Sequence, residues 1–151
     1  MTSENWLKYG AIGLFAVGFL AIIELSIASG DSFEDEAWVV SEADTGSGAV
    51  QPLAGTVLTA IFDDGSLSGT SGCNSYFTSY ATDGDSIGVG PIGSTMAFCN
   101  EPEGVMDQES AYLSLLEKAD RYERDDDTLT LLQDDTVLII YNAARPELYG
   151  G

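Results

Sequence analysis

The chain carries its two cysteines in two distinctive stretches, Ser71-Gly72-Cys73-Asn74-Ser75-Tyr76 and Ser94-Thr95-Met96-Ala97-Phe98-Cys99. If the two thiols join, they close a loop of about 27 residues, and a crosslink of that size stabilises a small domain by about 3–4 kcal/mol. The pair could be a disulfide, part of a metal site or a source of a nucleophile. Which of these it is decides most of what the sequence says about fold and function.

The rest of the composition narrows the roles open to the cysteines. The chain has no histidine, and no lysine or arginine flanks Cys73 or Cys99, so nothing is present to activate a thiolate nucleophile. Two cysteines without histidine are also too few soft ligands for zinc. An even number of cysteines favours a disulfide if the protein lies outside the cytoplasm, where thiols can be oxidised. Two buried free thiols are the alternative. We predict no catalytic residue, no metal site and no cofactor.

An apolar segment at residues 9–29 precedes these stretches. About 20 residues span roughly 30 Å as a helix, which is enough to cross the hydrocarbon core of a bilayer. The segment is apolar on every face, unlike a helix on the surface of a small domain. Lys8 lies on its N-terminal side and the acidic residues 31–36 follow it, a charge pattern that favours an N-terminus inside the cell.

These features predict a single-pass protein of the cell membrane. Residues 1–8 form a cytoplasmic tail, residues 9–29 form the anchor, and the rest of the chain lies outside the cytoplasm. The alternative is a secreted protein, because Ser26-Ile27-Ala28 resembles the cleavage site of a signal peptide.

The formal net charge is −20, from 25 acidic and 5 basic residues, and nearly all of it lies after Gly30. Self-repulsion of this size weakens a compact fold in dilute buffer and is screened at high salt. We therefore predict a salt-adapted protein of a halophilic archaeon; an acidic secreted protein of a mesophile is the alternative. Nucleic acid is not expected as a partner, because its phosphates would be repelled.

After an acidic linker at residues 30–36, the pattern becomes that of short β-strands separated by turns. Strands are predicted at residues 38–40, 56–62, 67–69, 76–80, 87–91, 128–132 and 136–141, with a loop over residues 42–51. The pairs Asp64-Gly65 and Asp83-Gly84 are typical of hairpin turns. The pattern indicates a small antiparallel sheet or barrel, followed by a flexible tail at residues 144–151.

One helix is predicted over residues 105–119. Its apolar stripe consists of Tyr112, Leu113, Leu116 and Ala119. Glu109 lies near this stripe, and a buried carboxylate needs a partner such as Thr95 or a backbone amide. We interpret Glu109 as a member of a structural hydrogen-bond network rather than as a functional acid.

The other carboxylates are abundant but lack the spacing of known sites. Asp125-Asp126-Asp127 has neither the alternating ligands nor the terminal glutamate of a calcium loop, so we interpret it as the tip of a hairpin. Two acids facing each other in a cleft could make a hydrolase, which is the least favoured alternative function.

Three motifs give the chain a family resemblance between Trp38 and Tyr141. They read Ser68-Gly69-x-x-Gly72-Cys73-Asn74-x-Tyr76, Ile92-Gly93-Ser94-Thr95-Met96-Ala97-x-Cys99 and Met106-x-x-Glu109-x-x-Tyr112-x-x-Leu115-Leu116. They resemble the motifs of the META domain (HslJ-like) family. The residues that match are Gly72, Cys73, Asn74, Thr95, Met96, Ala97, Cys99 and Glu109. In the family an alanine often directly precedes the second cysteine, whereas Phe98 stands there in this chain.

The resemblance implies a mainly β fold over residues 37–143, a small half-open antiparallel β-barrel with one α-helix packed across it. The family has no established catalytic activity, and its members are associated with cell envelopes, stress tolerance and secretion. We therefore predict a membrane-anchored, non-enzymatic protein that binds another envelope protein or supports the envelope under stress. The alternative is a barrel that binds a small apolar ligand or lipid in its interior.

Overall fold

The structure is a computed structural model that describes residues 32–46 and 48–145. The predicted cytoplasmic tail (1–8) and anchor (9–29) lie outside the described residues, as does most of the predicted tail at residues 144–151. Within the described residues, no helix has the length and apolar character needed to cross a membrane.

Ten strands and one helix follow one another in the described part of the chain. They are β1 (Ala37–Asp44), β2 (Ala49–Val50), β3 (Thr59–Asp63), β4 (Ser66–Thr70), β5 (Ser75–Asp83), β6 (Ser86–Val89), β7 (Gly93–Ser94), α1 (Val105–Lys118), β8 (Arg121–Asp125), β9 (Thr128–Gln133) and β10 (Thr136–Ala143).

Eight of these strands form a closed antiparallel barrel. The order around it is β1, β3, β4, β5, β6, β8, β9 and β10, and β10 pairs back with β1. The short strands β2 and β7 lie off this ring and pair with β1 and β5. The predicted mainly β fold with one helix is confirmed, but the expectation of a half-open barrel is corrected, because β1 pairs with both β3 and β10.

The pairing between β6 and β8 is the shortest in the barrel. It contains the single pair Ser86 and Arg121, flanked by backbone hydrogen bonds from Ile87 to Asp120 and from Tyr122 to Asp85, both 3.0 Å. Strand β8 has the sequence RYERD, in which charges replace the apolar alternation of a half-buried strand. The sequence pattern therefore did not predict it, and the ring cannot close without it.

Strand β1 and the segment before it also differ from expectation. The strand continues to Asp44, through a bulge between Val40 and Glu42, where a loop was predicted. Phe33 is buried, and its carbonyl accepts a hydrogen bond of 2.9 Å from the Trp38 indole. The predicted linker at residues 30–36 is therefore corrected, because part of it packs into the domain.

The barrel interior is filled by large side chains. Trp38, Phe62, Leu67, Tyr76, Leu116, Leu129, Leu131, Ile139 and Tyr141 are all at most 1 % exposed. Tyr112 extends from α1 to within 3.0 Å of the hydroxyls of both Tyr76 and Tyr141. The Thr59 carbonyl accepts hydrogen bonds from Tyr76 and Tyr112. Burial raises the pKa of all three tyrosines well above the usual value, so these hydroxyls stay protonated.

The helix and the turns match their sequence signals. Helix α1 spans Val105–Lys118, close to the predicted range, and buries Tyr112 and Leu116 of the predicted stripe. At the β3–β4 hairpin, Asp64 and Gly65 have φ of 43° and 82°, the left-handed angles of a type I′ turn.

Candidate functional site

The first cysteine stretch forms a tight corner between β4 and β5. Gly72 has φ of +112°, a conformation that L side chains rarely adopt, and a Cβ there would lie 3.1 Å from the Gln108 side chain. Cys73 and Asn74 follow, and the Asn74 carbonyl accepts a hydrogen bond of 2.9 Å from the Ser71 amide. Several hydrogen-bond donors of this corner point toward helix α1.

Glu109 of α1 receives these donors. Its Oε2 accepts hydrogen bonds from the Ser71 hydroxyl (2.7 Å), the Asn74 amide (2.8 Å) and the Cys73 amide (3.3 Å). Its Oε1 accepts one from Nδ2 of Asn74, at 2.7 Å. The predicted buried carboxylate network is thus present, but Thr95 is not its partner, since the corner supplies every donor.

The pKa of Glu109 reflects two opposed effects. Burial acts to raise it, and the hydrogen bonds from Asn74, Ser71 and Cys73 together lower it below its ordinary value. The group is therefore an ionised acceptor at neutral pH, with donors on both oxygens. We call Ser71, Cys73, Asn74 and Glu109 the corner network.

Asn74 also connects the corner network to the second cysteine stretch. Its Oδ1 accepts hydrogen bonds from the Thr95 hydroxyl and the Ala97 amide, both 2.8 Å. Its Nδ2 donates to the Ala97 carbonyl at 3.0 Å. One buried side chain thereby fixes the backbone of residues 94–98, which we call the 94–98 segment.

The two cysteines add a covalent connection at the same place. Cys73 and Cys99 form a disulfide, with Cα atoms 5.9 Å apart and 26 positions apart in sequence. The pairing agrees with the predicted disulfide rather than with two free thiols. The 94–98 segment is therefore held at one end by the disulfide and along its length by Asn74.

The side chains at the centre of this segment are exposed to solvent. Met96 is 95 % exposed and Phe98 is 76 % exposed. Phe77, on β5, is 62 % exposed, and a Cβ placed on Gly93 of β7 would lie 2.7 Å from its ring. The structure thus brings the motif residues together with the exception of Met96, which lies exposed on the surface.

Charge is distributed unevenly around this surface. Residues 65–82 and 86–100 contain no charged side chain, and Asp83 and Asp85 occupy the turn between them. In a chain of net charge −20, these two neutral runs cover β4, β5 up to residue 82, β6, β7 and the 94–98 segment. The spacing of acidic residues along the chain is the signal that could have identified this surface, whereas the predictions from charge concerned only salt adaptation and the exclusion of nucleic acid.

Cavities of very different size lie beside helix α1 in the described part of the chain. A surface groove of about 360 Å³ lies between α1 and the barrel, and its lining includes Asp44, Leu115, Lys118 and Leu138. A second cavity, beside Tyr112, holds about 20 Å³. No group of three or more acidic or cysteine side chains in the described part of the chain is arranged to hold a metal ion. Asp126 and Asp127 instead lie in the β8–β9 turn.

Fold and motifs agree with a family match over most of the chain. The model of the META domain family matches residues 31–145. The chain belongs to the META domain family. In this META domain, the corner network and the disulfide involve the family-motif residues Cys73, Asn74, Cys99 and Glu109.

Two solved structures are similar to this META domain. One is the NMR structure of a protein from Burkholderia xenovorans, with a TM-score of 0.61 and 29 % identity, covering 74 % of this chain and 83 % of that chain. The other NMR structure has a TM-score of 0.56 and 13 % identity, covering 77 % of this chain and 95 % of that one, so it shows the fold alone. No curated protein sequence matches the chain.

Proposed function

We propose that this META domain is a non-enzymatic binding module displayed outside the cytoplasm. The apolar segment at residues 9–29 tethers it to the membrane, and the 94–98 segment binds its partner. One observation carries the proposal: Met96 and Phe98 are exposed while their backbone is fixed by the corner network and the disulfide.

Exposed apolar side chains do not stabilise a monomer, because they bury little surface on folding. Methionine and aromatic side chains are enriched at protein interfaces. A backbone that is already ordered loses less entropy on binding, so a fixed segment binds more tightly than a mobile one. The combination of a fixed backbone and exposed apolar side chains in the 94–98 segment is therefore best explained by a partner that covers these side chains.

The chemistry of Glu109 supports a non-enzymatic role. A general acid at neutral pH needs a raised pKa, whereas hydrogen bonds lower that of Glu109. Both of its oxygens already accept hydrogen bonds within the protein. The carboxylate at the centre of the family motif therefore acts as a structural acceptor.

The packing of the barrel favours binding at the surface over binding in the interior. A small apolar ligand would need an interior space of a few hundred cubic ångströms. Large side chains such as Trp38, Phe62 and Tyr141 fill that space.

A location outside the cytoplasm also suits the Cys73–Cys99 disulfide, because cytoplasmic thiols are kept reduced. Adaptation to high salt remains part of the proposal and rests on the net charge of −20.

The test is crosslinking and affinity capture of the intact anchored chain from its own membrane at native salt. The double variant Met96→Ser/Phe98→Ser is compared with the wild type. Its matched control is Val50→Ser/Val137→Ser, which removes two apolar side chains that are 43 % and 42 % exposed elsewhere. We expect one crosslinked species that the first variant loses and the control keeps. Equal crosslinking in all three proteins would contradict the proposed binding surface.

A further inference from the structure

We infer that the partner of the 94–98 segment is an amphipathic cationic protein segment, with an apolar face bordered by lysine or arginine. This inference rests on the proposed binding function and adds the chemistry of the partner. It is drawn from the charges in and around the surface of Met96 and Phe98.

The centre of the surface contains no charge that binding would have to desolvate. Residues 86–100, which include Met96 and Phe98, are all uncharged, and so are residues 65–82 with Phe77. An apolar face can therefore cover this surface without burying an unpaired charge, which is strongly unfavourable. The centre of the partner must be apolar as well.

The border of the surface is acidic on the side of helix α1. Glu101 and Glu103 lie two and four residues after Cys99, Asp107 lies in the first turn of α1, and all three are exposed. The ion pairs of the described residues involve Arg121, Arg124 and Arg145, so these three carboxylates have no cation beside them. A partner whose apolar face is bordered by lysine or arginine would supply the missing cations.

The charge of the whole chain selects among the possible partners. Where salt does not screen it, a net charge of −20 attracts cationic segments and repels anionic lipid surfaces and nucleic acid, and at high salt the attraction acts only between groups in contact. A second copy of this chain would place Glu101, Glu103 and Asp107 against an equally acidic surface. The cationic segment is the partner that satisfies both the apolar centre and the acidic border.

The experiment uses a synthetic amphipathic helical peptide of leucine and lysine, about 18 residues or five turns long. The protein is the full chain in zwitterionic nanodiscs, labelled with ¹³C at the methionine methyl groups. The Met96 methyl group reports on the proposed surface. A leucine–glutamate peptide and a serine–lysine peptide of equal length are the controls for charge and for apolar surface.

We expect the leucine–lysine peptide to shift the Met96 resonance in a saturable way. We expect Phe98→Ser to weaken this binding at least tenfold and Val137→Ser to leave it unchanged. Equal binding of the leucine–glutamate peptide would overturn the cationic requirement, and equal binding of the serine–lysine peptide would overturn the apolar one. Self-association through Met96 without peptide would identify a second copy as the partner and also overturn the inference.

The failure of this inference can be told apart from failure of the proposed function. If capture from the native membrane depends on Met96 and Phe98 but the leucine–lysine peptide does not bind, the binding function stands and the cationic partner is wrong. If capture does not depend on these residues, the proposed function itself is wrong.

Discussion

Glu109 shows how single residues hold the family motif together. Four donors from three corner residues solvate its buried carboxylate: the Ser71 hydroxyl, the Cys73 amide, and both the backbone amide and Nδ2 of Asn74. The pattern of apolar residues in α1 placed this acid near the buried face, so its burial could be predicted. A backbone amide could be named as a kind of partner, but the residues that supply it could not, because they depend on how the Gly72 corner is oriented toward the helix.

Glu109→Gln tests the corner network at the level of one atom. The variant turns an acceptor into a donor that faces other donors, and we expect the free energy of unfolding at pH 7 to fall by about 2–3 kcal/mol. Folding lowers the pKa of Glu109, so its stabilisation is present above the unfolded pKa of about 4.3 and is lost as pH falls through the folded pKa. Urea unfolding of both proteins should therefore show a difference that shrinks below about pH 4. A difference independent of pH would contradict an ionised Glu109.

Gly69→Ala tests a close approach inside the barrel wall. A Cβ at Gly69 would lie 2.0 Å from the Thr59 carbonyl oxygen and 2.9 Å from the Tyr76 hydroxyl. We expect a loss of about 3 kcal/mol, because the backbone of β3 must move. Gly88→Ala is the matched control, since nothing lies within 4 Å of its Cβ position. If thermal unfolding showed the same loss of stability in both variants, the close approach of β4 to β3 at Gly69 would be contradicted.

At the scale of elements, the accuracy of the sequence prediction followed the strength of the apolar pattern. Strand β4 alternates buried and more exposed residues, and it was predicted within one residue of its observed bounds. Strand β10 is rich in apolar residues and was predicted to within two residues. Strand β8 is charged at four of its five positions and β7 has two residues, so neither has a readable pattern. The 94–98 segment was recognised by its motif, but its exposure depends on long-range contacts with Asn74.

Removal of the disulfide tests how the 94–98 segment is held. Cys73→Ser/Cys99→Ser should lower the free energy of unfolding by about 3–4 kcal/mol, as expected for a loop of this length. The wild type in reductant should unfold like the variant, because both lack the same crosslink. Mass spectrometry of the wild type should show no alkylation of either thiol before reduction. Two alkylated thiols in the unreduced protein would exclude the disulfide.

For the whole molecule, the net charge of −20 and its distribution are the dominant features. From the total charge, it could be predicted that the stability of the fold depends on salt, because unscreened carboxylates repel one another. The two neutral runs are visible in the sequence, but the surface that they form around Phe77 and the 94–98 segment is visible only on the fold. The same charge therefore has two consequences, one for stability and one for the choice of partner.

Salt should raise the melting temperature. Between about 0.1 M and about 1 M KCl, where the screening length falls from about 10 Å to about 3 Å, we expect Tm to rise by at least about 5 °C. Asp64→Asn/Asp126→Asn/Asp134→Asn is the matched variant, because asparagine tolerates the positive φ of these three turn positions and removes three charges. It should melt higher than the wild type at low salt and gain less from added salt. A Tm that does not change with salt would contradict the proposed adaptation.

The central claim is that the corner network and the disulfide hold an exposed apolar segment ready for a partner. The most direct test is ¹⁵N relaxation of the backbone amides in the folded protein without a partner. We predict order parameters of about 0.85 at Met96, Ala97 and Phe98, the value of rigid backbone. Order parameters below about 0.6 at these residues would show a mobile segment and contradict the claim.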